Sequence, residues 1–163
     1  MSIGTTYKNA DAPTLAGDQA IRRAAMEVLA EATSREISEG LTRIGVPIDC
    51  RDVRPAEIGM VMIRGRIGGD GAPFNIGEAT VTRCAVQLQS GEIGFSYALG
   101  RDREKARLAA ICDALIQTDT HRLLVERDVV APIRERQKRD RSLAAGRTAA
   151  TKVDFFTLVR GED

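Results

Sequence analysis

Aromatic side chains are scarce in this sequence: they make up 4% of its 163 residues, and tryptophan is absent. Platforms on which nucleic-acid bases stack need exposed aromatic rings, so a surface of that kind is disfavoured. Lysine plus arginine number 24 against 23 for aspartate plus glutamate, which is not the basic excess typical of a nucleic-acid binder. We therefore expect no nucleic-acid partner.

Histidine and cysteine are equally sparse. His121 is the only histidine, and the three cysteines, Cys50, Cys84 and Cys112, lie far apart without a C-x-x-C pair. These spacings argue against a disulfide framework and provide no pair of metal ligands. We expect Cys84 and Cys112 to be core residues, and we predict no metal site.

Catalytic motifs are also missing. His121 is not accompanied by a nucleophile elbow, and no two carboxylates are marked as an acid–base pair by an apolar setting. The sequence therefore predicts no catalytic residue.

No apolar run approaches the ~18 residues that a membrane helix requires. The first residues lack the apolar segment of a signal peptide, so the cytoplasm is the expected location and no membrane partner is expected. A length of 163 residues favours one domain. We expect residues 1–17 to form a flexible arm and residues 18–163 to form that domain.

Helical periodicity appears first after residue 17. Asp18 is a plausible N-cap of the first helix, and Thr33 with Glu36 fits a capping box that opens a second helix. Gly45 is placed to end that helix.

Alternating apolar residues then predict strands. Residues 58–67 and 78–89 read as strands, residues 48–54 read as a weaker one, and Pro55 marks a bend. Residues 93–99 alternate large apolar side chains with small ones. A face of small residues lets a helix of the same chain, or a segment of another chain, lie close to the sheet; the helix is the commoner case.

Helical periodicity returns at Asp102, which is predicted to cap a strongly apolar helix. Thr120 is predicted to cap the next helix, and Pro132 fits the opening of a further one. Residues 134–141 carry five positive and two negative charges with almost no apolar stripe. Such a helix is either solvated or braced from outside its own domain. An RNA-binding role for this run is disfavoured by the net charge.

The predicted fold class is α+β. We expect N-terminal helices, a central antiparallel meander of three or four strands, then C-terminal helices and an extended tail.

Five glycines fall from Gly65 to Gly77, between two of the predicted strands. They are compatible with a long hairpin loop with bulges, or with a surface for an anion or another chain flanked by arginines. The candidate residues for anion or partner binding are Arg64, Arg66, Gly68, Gly69, Gly71, Asn75, Glu78, Arg83 and Arg101.

The tail is apolar again and holds two of the four phenylalanines. A helix that carries it away from the body would make its burial intermolecular. The predicted partner-contact residues are Val153, Phe155, Phe156, Leu158 and Val159.

Three groups of residues resemble the PhnG family of the bacterial carbon–phosphorus lyase system. They are Gly68-Gly69-Asp70-Gly71 with Phe74, Gly77-Glu78, Thr80 and Thr82-Arg83; Gly94-Phe95-Ser96-Tyr97 with Leu99-Gly100-Arg101-Asp102; and Thr151, Val153-Asp154-Phe155-Phe156-Thr157 and Val159-Arg160-Gly161. The resemblance covers about residues 20 to 163. Phe95 stands where a tyrosine is expected in the family.

The resemblance implies a subunit that works in a hetero-oligomer with PhnH, PhnI and PhnJ of the carbon–phosphorus lyase core complex, and transiently with the ATPase-like PhnL. Together they support formation of α-D-ribose 1-methylphosphonate 5-triphosphate from ATP and methylphosphonate. The resemblance assigns no catalytic residue and no bound cofactor to a PhnG protein: ATP is used by the complex, and the iron–sulfur cluster and S-adenosylmethionine belong to PhnJ. We expect an assembly or accessory role. The alternative is a nucleotide- or phosphonate-binding module that uses the glycine-rich connection and its flanking arginines.

Overall fold

The computed structural model describes residues 12–45, 47–68 and 70–151, with the side chains of residues 12–16 left outside that description. Most of the predicted arm 1–17 and nearly all of the predicted tail lie outside the described residues. In the part that is described, none of the helices has the length and apolarity needed to cross a bilayer.

Two helices open the described chain, α1 (Ala12–Ala30) and α2 (Ser34–Ile44). Helix α1 begins well before Asp18, so the predicted N-cap at Asp18 is wrong; the carboxylate pairs instead with Arg122 at 2.9 Å. The capping box of α2 is confirmed, because the Thr33 side chain accepts from the Glu36 backbone and Glu36 accepts from the Thr33 backbone. Gly45 ends α2 in the left-handed conformation, with φ 70°.

The sheet has three antiparallel strands in the order β1 (Cys50–Arg66), β2 (Pro73–Leu88) and β3 (Ile93–Leu99). The two strand patterns predicted before residue 68 are one continuous strand, and Pro55 lies where its register with β2 shifts. The predicted α+β class and the three-stranded meander are confirmed. The described residues contain no fourth strand.

The C-terminal half is helical, with α3 (Arg103–Ile116), α4 (Asp119–Val125) and α5 (Ala131–Ala150). A π-helical turn, Glu126–Val130, joins α4 to α5. Asp102 caps α3 as predicted, accepting from the Lys105 amide at 2.8 Å. Pro132 lies in the first turn of α5, also as predicted. The cap of α4 is Thr118, and Thr120 lies inside that helix, which corrects the prediction.

Helix α3 packs against one face of the sheet and forms the centre of the core with α1, α2 and the π-helical turn. It can approach closely because β3 presents Gly94, Ser96 and Ala98 to it, all buried. A Cβ added at Gly94 would collide with the Ala110 carbonyl and lie 2.5 Å from the Ala114 amide nitrogen. The small residues of β3 therefore serve packing within this chain.

Candidate interaction surface

The opposite face of β3 carries its large side chains and is not covered by the described residues. Phe95 is 56% exposed, Tyr97 59% and Leu99 71%. The side chains of Val61 and Ile63 on β1 share this face, and both are exposed. We call this side of the sheet the open face. A contiguous apolar patch of this kind marks a surface on which another protein segment packs.

The sheet narrows to a two-stranded ribbon beyond β3. Strand β3 pairs with β2 only from Val81 to Gln87, whereas β1 and β2 stay paired out to Arg66 and Pro73. We call residues 60–66 and 73–80 the β-arm. Its seven outermost β1 residues span about 23 Å at the usual rise of a strand.

The β-arm exposes apolar side chains on both of its faces. Those more than two-fifths exposed are Met60, Met62, Ile63, Phe74 and Ile76. Alternation places Met60 and Met62 on the side that faces the helices at the base of the sheet, and Val61 and Ile63 on the open face. A two-stranded ribbon is marginally stable by itself in water, so packing against another surface would stabilise this one.

The tip of the β-arm is the glycine-rich connection. Gly68 has φ 64°, and a Cβ at Gly71 would lie 2.6 Å from the Ile67 carbonyl oxygen, which accepts from the Gly71 amide. Both positions therefore need glycine. The Arg66 guanidinium reaches the Gly71 carbonyl at 3.5 Å. Gly69 lies outside the described residues.

The structure places two of the candidate arginines near this tip. Arg64 lies opposite Asn75 and Arg66 opposite Pro73. Among the described residues, neither arginine has an acidic partner within salt-bridge distance. Glu78 lies nearer the base, opposite Met62. With Asp70 in the connection, the two arginines leave the tip a net charge of +1.

Arg83 is not part of the tip. Its Nε donates to Glu57 at 2.7 Å, and a terminal nitrogen donates to the Tyr97 hydroxyl at 3.4 Å. The hydrogen bonds to Tyr97 and to Glu57 raise the pKa of this guanidinium. Glu57 lies seven residues before Arg64, which is about 23 Å along an extended strand.

Arg101 follows the end of β3, where Leu99 pairs with Val81 at the base of the β-arm. The predicted set of four arginines is therefore divided between the tip and the base of the ribbon, and the described residues do not bring it into one cluster.

Asp113 is a buried carboxylate that the sequence patterns did not single out. It lies in α3, accepts from the Arg22 guanidinium at 2.9 and 2.8 Å, and accepts from the Phe95 amide at 2.9 Å. The hydrogen bonds that Arg22 donates to Asp113 raise the pKa of its guanidinium. A single aspartate inside the apolar stretch of α3 was the available signal. Asp113 joins α1, α3 and the outer edge of β3.

The charged run of α5 is braced within the chain. Arg134 pairs with Glu126 at 2.6 Å, and Arg136 with Glu36 at 2.8 Å. Arg141 pairs with Glu31 at 2.8 Å. The partners come from α1, α2 and the π-helical turn, so bracing from outside the domain is not needed for these three arginines.

Two of the cysteines are core residues, as predicted. Cys84 and Cys112 are buried, and burial raises the pKa of both thiols, that of Cys112 to about 12. Neither thiol is a ready nucleophile at neutral pH. Within the described ranges, no three His, Cys, Asp or Glu side chains are grouped so that they could hold a metal ion.

These features define an α+β protein whose distinctive surface is an exposed apolar arm and sheet face. The family model described as "Phosphonate metabolism protein PhnG" matches residues 20–161. The chain therefore belongs to the PhnG family, as its resemblance implied.

A curated relative from Rhizobium meliloti (strain 1021) is 49% identical over 145 residues, covering 87% of this chain and 90% of the relative. That relative is named "Alpha-D-ribose 1-methylphosphonate 5-triphosphate synthase subunit PhnG".

Proposed function

We propose that this chain is an accessory subunit of a synthase that forms α-D-ribose 1-methylphosphonate 5-triphosphate from ATP and methylphosphonate. Membership of the PhnG family and the name of the relative from Rhizobium meliloti support the proposal. The chain acts as one component of a hetero-oligomer and contributes a docking surface to it.

The proposed partners are PhnH, PhnI and PhnJ of the same system, with PhnL joining transiently. ATP is a substrate of the complex, and the iron–sulfur cluster and S-adenosylmethionine belong to PhnJ. The chain itself binds no cofactor. We place the complex in the cytoplasm.

The observation that carries the docking role is the β-arm. Its exposed methionine, isoleucine and phenylalanine side chains lie on a ribbon that has no covering layer among the described residues. Burying apolar surface contributes about 25 cal/mol per Å², so a partner that encloses the ribbon gains affinity and stabilises the ribbon at the same time. Methionine adapts to an irregular partner surface at small cost.

Co-expression with PhnH, PhnI and PhnJ tests the proposal. The double variant Ile63→Asp with Phe74→Asp places two charges on the β-arm without touching the core. We expect it to leave the co-eluting complex in size-exclusion chromatography, while the variant Leu123→Asp, on an exposed residue of α4, stays bound.

The proposal fails if the arm variant co-elutes like the unchanged protein. It also fails if PhnH, PhnI and PhnJ assemble and turn over ATP with methylphosphonate equally well without this chain.

The structure gives less support to a nucleotide- or phosphonate-binding module. Arg83 is engaged by Glu57, and Arg64 and Arg66 lie far from it along the ribbon. Calorimetry of the chain with ATP and with methylphosphonate, before and after Arg66→Ala, checks this directly; we expect no measurable heat of binding in either case.

A further inference from the structure

An open groove of about 910 Å³ runs between α1 and α5 and reaches the edge of β3. Its lining includes Ala24, Val28, Tyr97, Leu99, Lys138 and Arg141. The groove combines an apolar floor with charged walls, basic on the side of α5 and acidic on the side of α1, where Glu27 and Glu31 line it.

One wall of the groove is the free edge of β3. The Gly100 amide donates to Thr80 on β2 at 2.9 Å, so the even-numbered residues of this strand direct their backbone groups toward β2. The odd-numbered residues direct theirs outward. Two hydrogen bonds confirm this outward direction. The Phe95 amide donates to Asp113 at 2.9 Å, and the Ile93 carbonyl accepts from Gln117 at 2.8 Å.

The side chains of Asp113 and Gln117 thus provide hydrogen-bond partners only for the first half of the β3 edge. Farther along, the outward backbone groups of Tyr97 and Leu99 have no hydrogen-bond partner among the described residues. Both residues line the groove. The groove therefore offers a short stretch of unpaired strand edge, where an extended segment can add by backbone hydrogen bonds.

The helices that flank the groove run in the same chain direction as β3. Arg22 of α1 meets the Asp113 carboxylate that holds Phe95, whereas Glu31, nine residues later on α1, lines the groove with Leu99. Helix α5 runs alongside α1 in the same sense, since Gln137 donates to the Val28 carbonyl and Arg141 pairs with Glu31. A segment that turns back after α5 would therefore run antiparallel to β3.

We propose that residues 153–159 of this chain turn back after α5, enter this groove and pair antiparallel with Tyr97 and Leu99 as a fourth strand. The reach is sufficient. Ser142 lines the end of the groove, and Ala150 ends α5 about 12 Å beyond it at the rise of a helix. Four extended residues cover about 13 Å, which brings Phe155 and Phe156 to the groove.

The chemistry of the segment fits the two sides of the groove. Successive residues of a strand point to opposite sides, so one phenylalanine packs over Val28 and the other joins Tyr97 and Leu99 at the open face. Asp154 reaches the groove near Ser142, one helical turn from Lys138, whose ammonium group has no acidic partner within salt-bridge distance among the described residues. Four backbone hydrogen bonds to Tyr97 and Leu99 complete the edge.

This arrangement is independent of the proposed function. It gives the apolar tail a place on its own chain, in contrast to the predicted contact with a partner.

Amide hydrogen exchange on the isolated, full-length chain tests the arrangement residue by residue. In the unchanged protein we expect the Tyr97 and Leu99 amides to exchange slowly. In the double variant Phe155→Ser with Phe156→Ser they are expected to exchange at least about tenfold faster. The Gly100 amide, bonded to Thr80, is the internal reference and should not change. Leu143→Ser, an exposed apolar residue of α5 that does not line the groove, is the matched control.

Three results would overturn the proposal. Tyr97 and Leu99 amides that exchange at unprotected rates in the unchanged chain would show that the edge is free. Protection that appears only after PhnH, PhnI and PhnJ are added would assign the tail to a partner. Protection that rises with the concentration of the isolated chain would assign it to a second copy.

Discussion

The two faces of β3 differ in a way that reverses the usual relation between side-chain size and burial. The small residues Gly94 and Ser96 are buried under α3, where the Ser96 hydroxyl donates to the Ala106 carbonyl at 2.5 Å. The large residues Phe95 and Tyr97 point away and are exposed. The covering helix comes so close that only small side chains fit beneath it. The large apolar residues are therefore left for contacts that lie outside the core.

The largest effect is expected on the covered face. Gly94→Ala forces a methyl group into the Ala110 carbonyl and the Ala114 backbone, neither of which can move without displacing α3. We expect a loss of about 3 kcal/mol or more in the free energy of unfolding. Urea denaturation measures it. Gly77→Ala on the β-arm, where no atom lies within 4 Å of the added carbon, is the control and should stay within about 0.5 kcal/mol. Equal effects at the two glycines would contradict the contrast between the faces.

The second-largest loss of unfolding free energy is expected from removing the Asp113 carboxylate, which connects α3 to the edge of β3. Asp113→Ala leaves the Phe95 amide and the Arg22 guanidinium without their acceptor. We expect a loss of about 2–3 kcal/mol in unfolding free energy. Hydrogen exchange at Phe95 should accelerate beyond that at Gly100, whose partner on β2 is intact. Equal acceleration at both amides would mean that Asp113 stabilises the whole fold without holding this edge.

A smaller effect is expected away from both faces, at the start of α2. Burial by itself would raise the pKa of Glu36, but hydrogen bonds from Thr33 and Arg136 outweigh it and hold that pKa below its ordinary value. The stabilisation is therefore present above the pKa of the unfolded chain and lost as the pH falls through the folded pKa. Glu36→Gln should cost about 1 kcal/mol near pH 7, and the difference from the unchanged protein should shrink toward about pH 3. Urea titrations at the two pH values check it; a difference that is independent of pH would contradict the assignment.

The smallest effect on stability is expected on the open face. Phe95→Gln removes an exposed ring that does not belong to the core cluster, so the free energy of unfolding should change by less than about 0.5 kcal/mol. Retention by PhnH, PhnI and PhnJ in a pull-down should nevertheless fall. A large drop in melting temperature would show that the open face contributes to folding as much as the covered face does.

The local parts of this structure are predictable from the sequence. The capping box at Thr33, the cap at Asp102 and the strand 93–99 depend on residues a few positions apart, and the structure confirms each of them. The alternation of large and small side chains also locates the surface covered by α3. It cannot show that the large face stays open, because that depends on where the remaining helices pack.

The errors have tertiary causes. Asp18 resembles a cap in the sequence because its true partner, Arg122, is distant along the chain. Thr120 and Thr118 are both threonines beside Asp119, and only the geometry of α4 separates them. The candidate arginines lie close together in the sequence, around one glycine-rich connection. A long ribbon instead holds Arg64 and Arg83 at different levels.

The π-helical turn at Glu126–Val130 sets how α5 is rotated about its own axis. A π turn contains one residue more than an α turn, and one residue corresponds to about 100° of rotation. With the extra residue, Gln137 meets the Val28 carbonyl at 2.9 Å and Arg136 meets Glu36. Deleting a single residue here would keep the helix intact and turn both side chains away from their acceptors. The rotation of α5 about its axis thus depends on one extra residue in the π-helical turn. Removing that residue would change the rotation even if the polarity of the segment stayed the same.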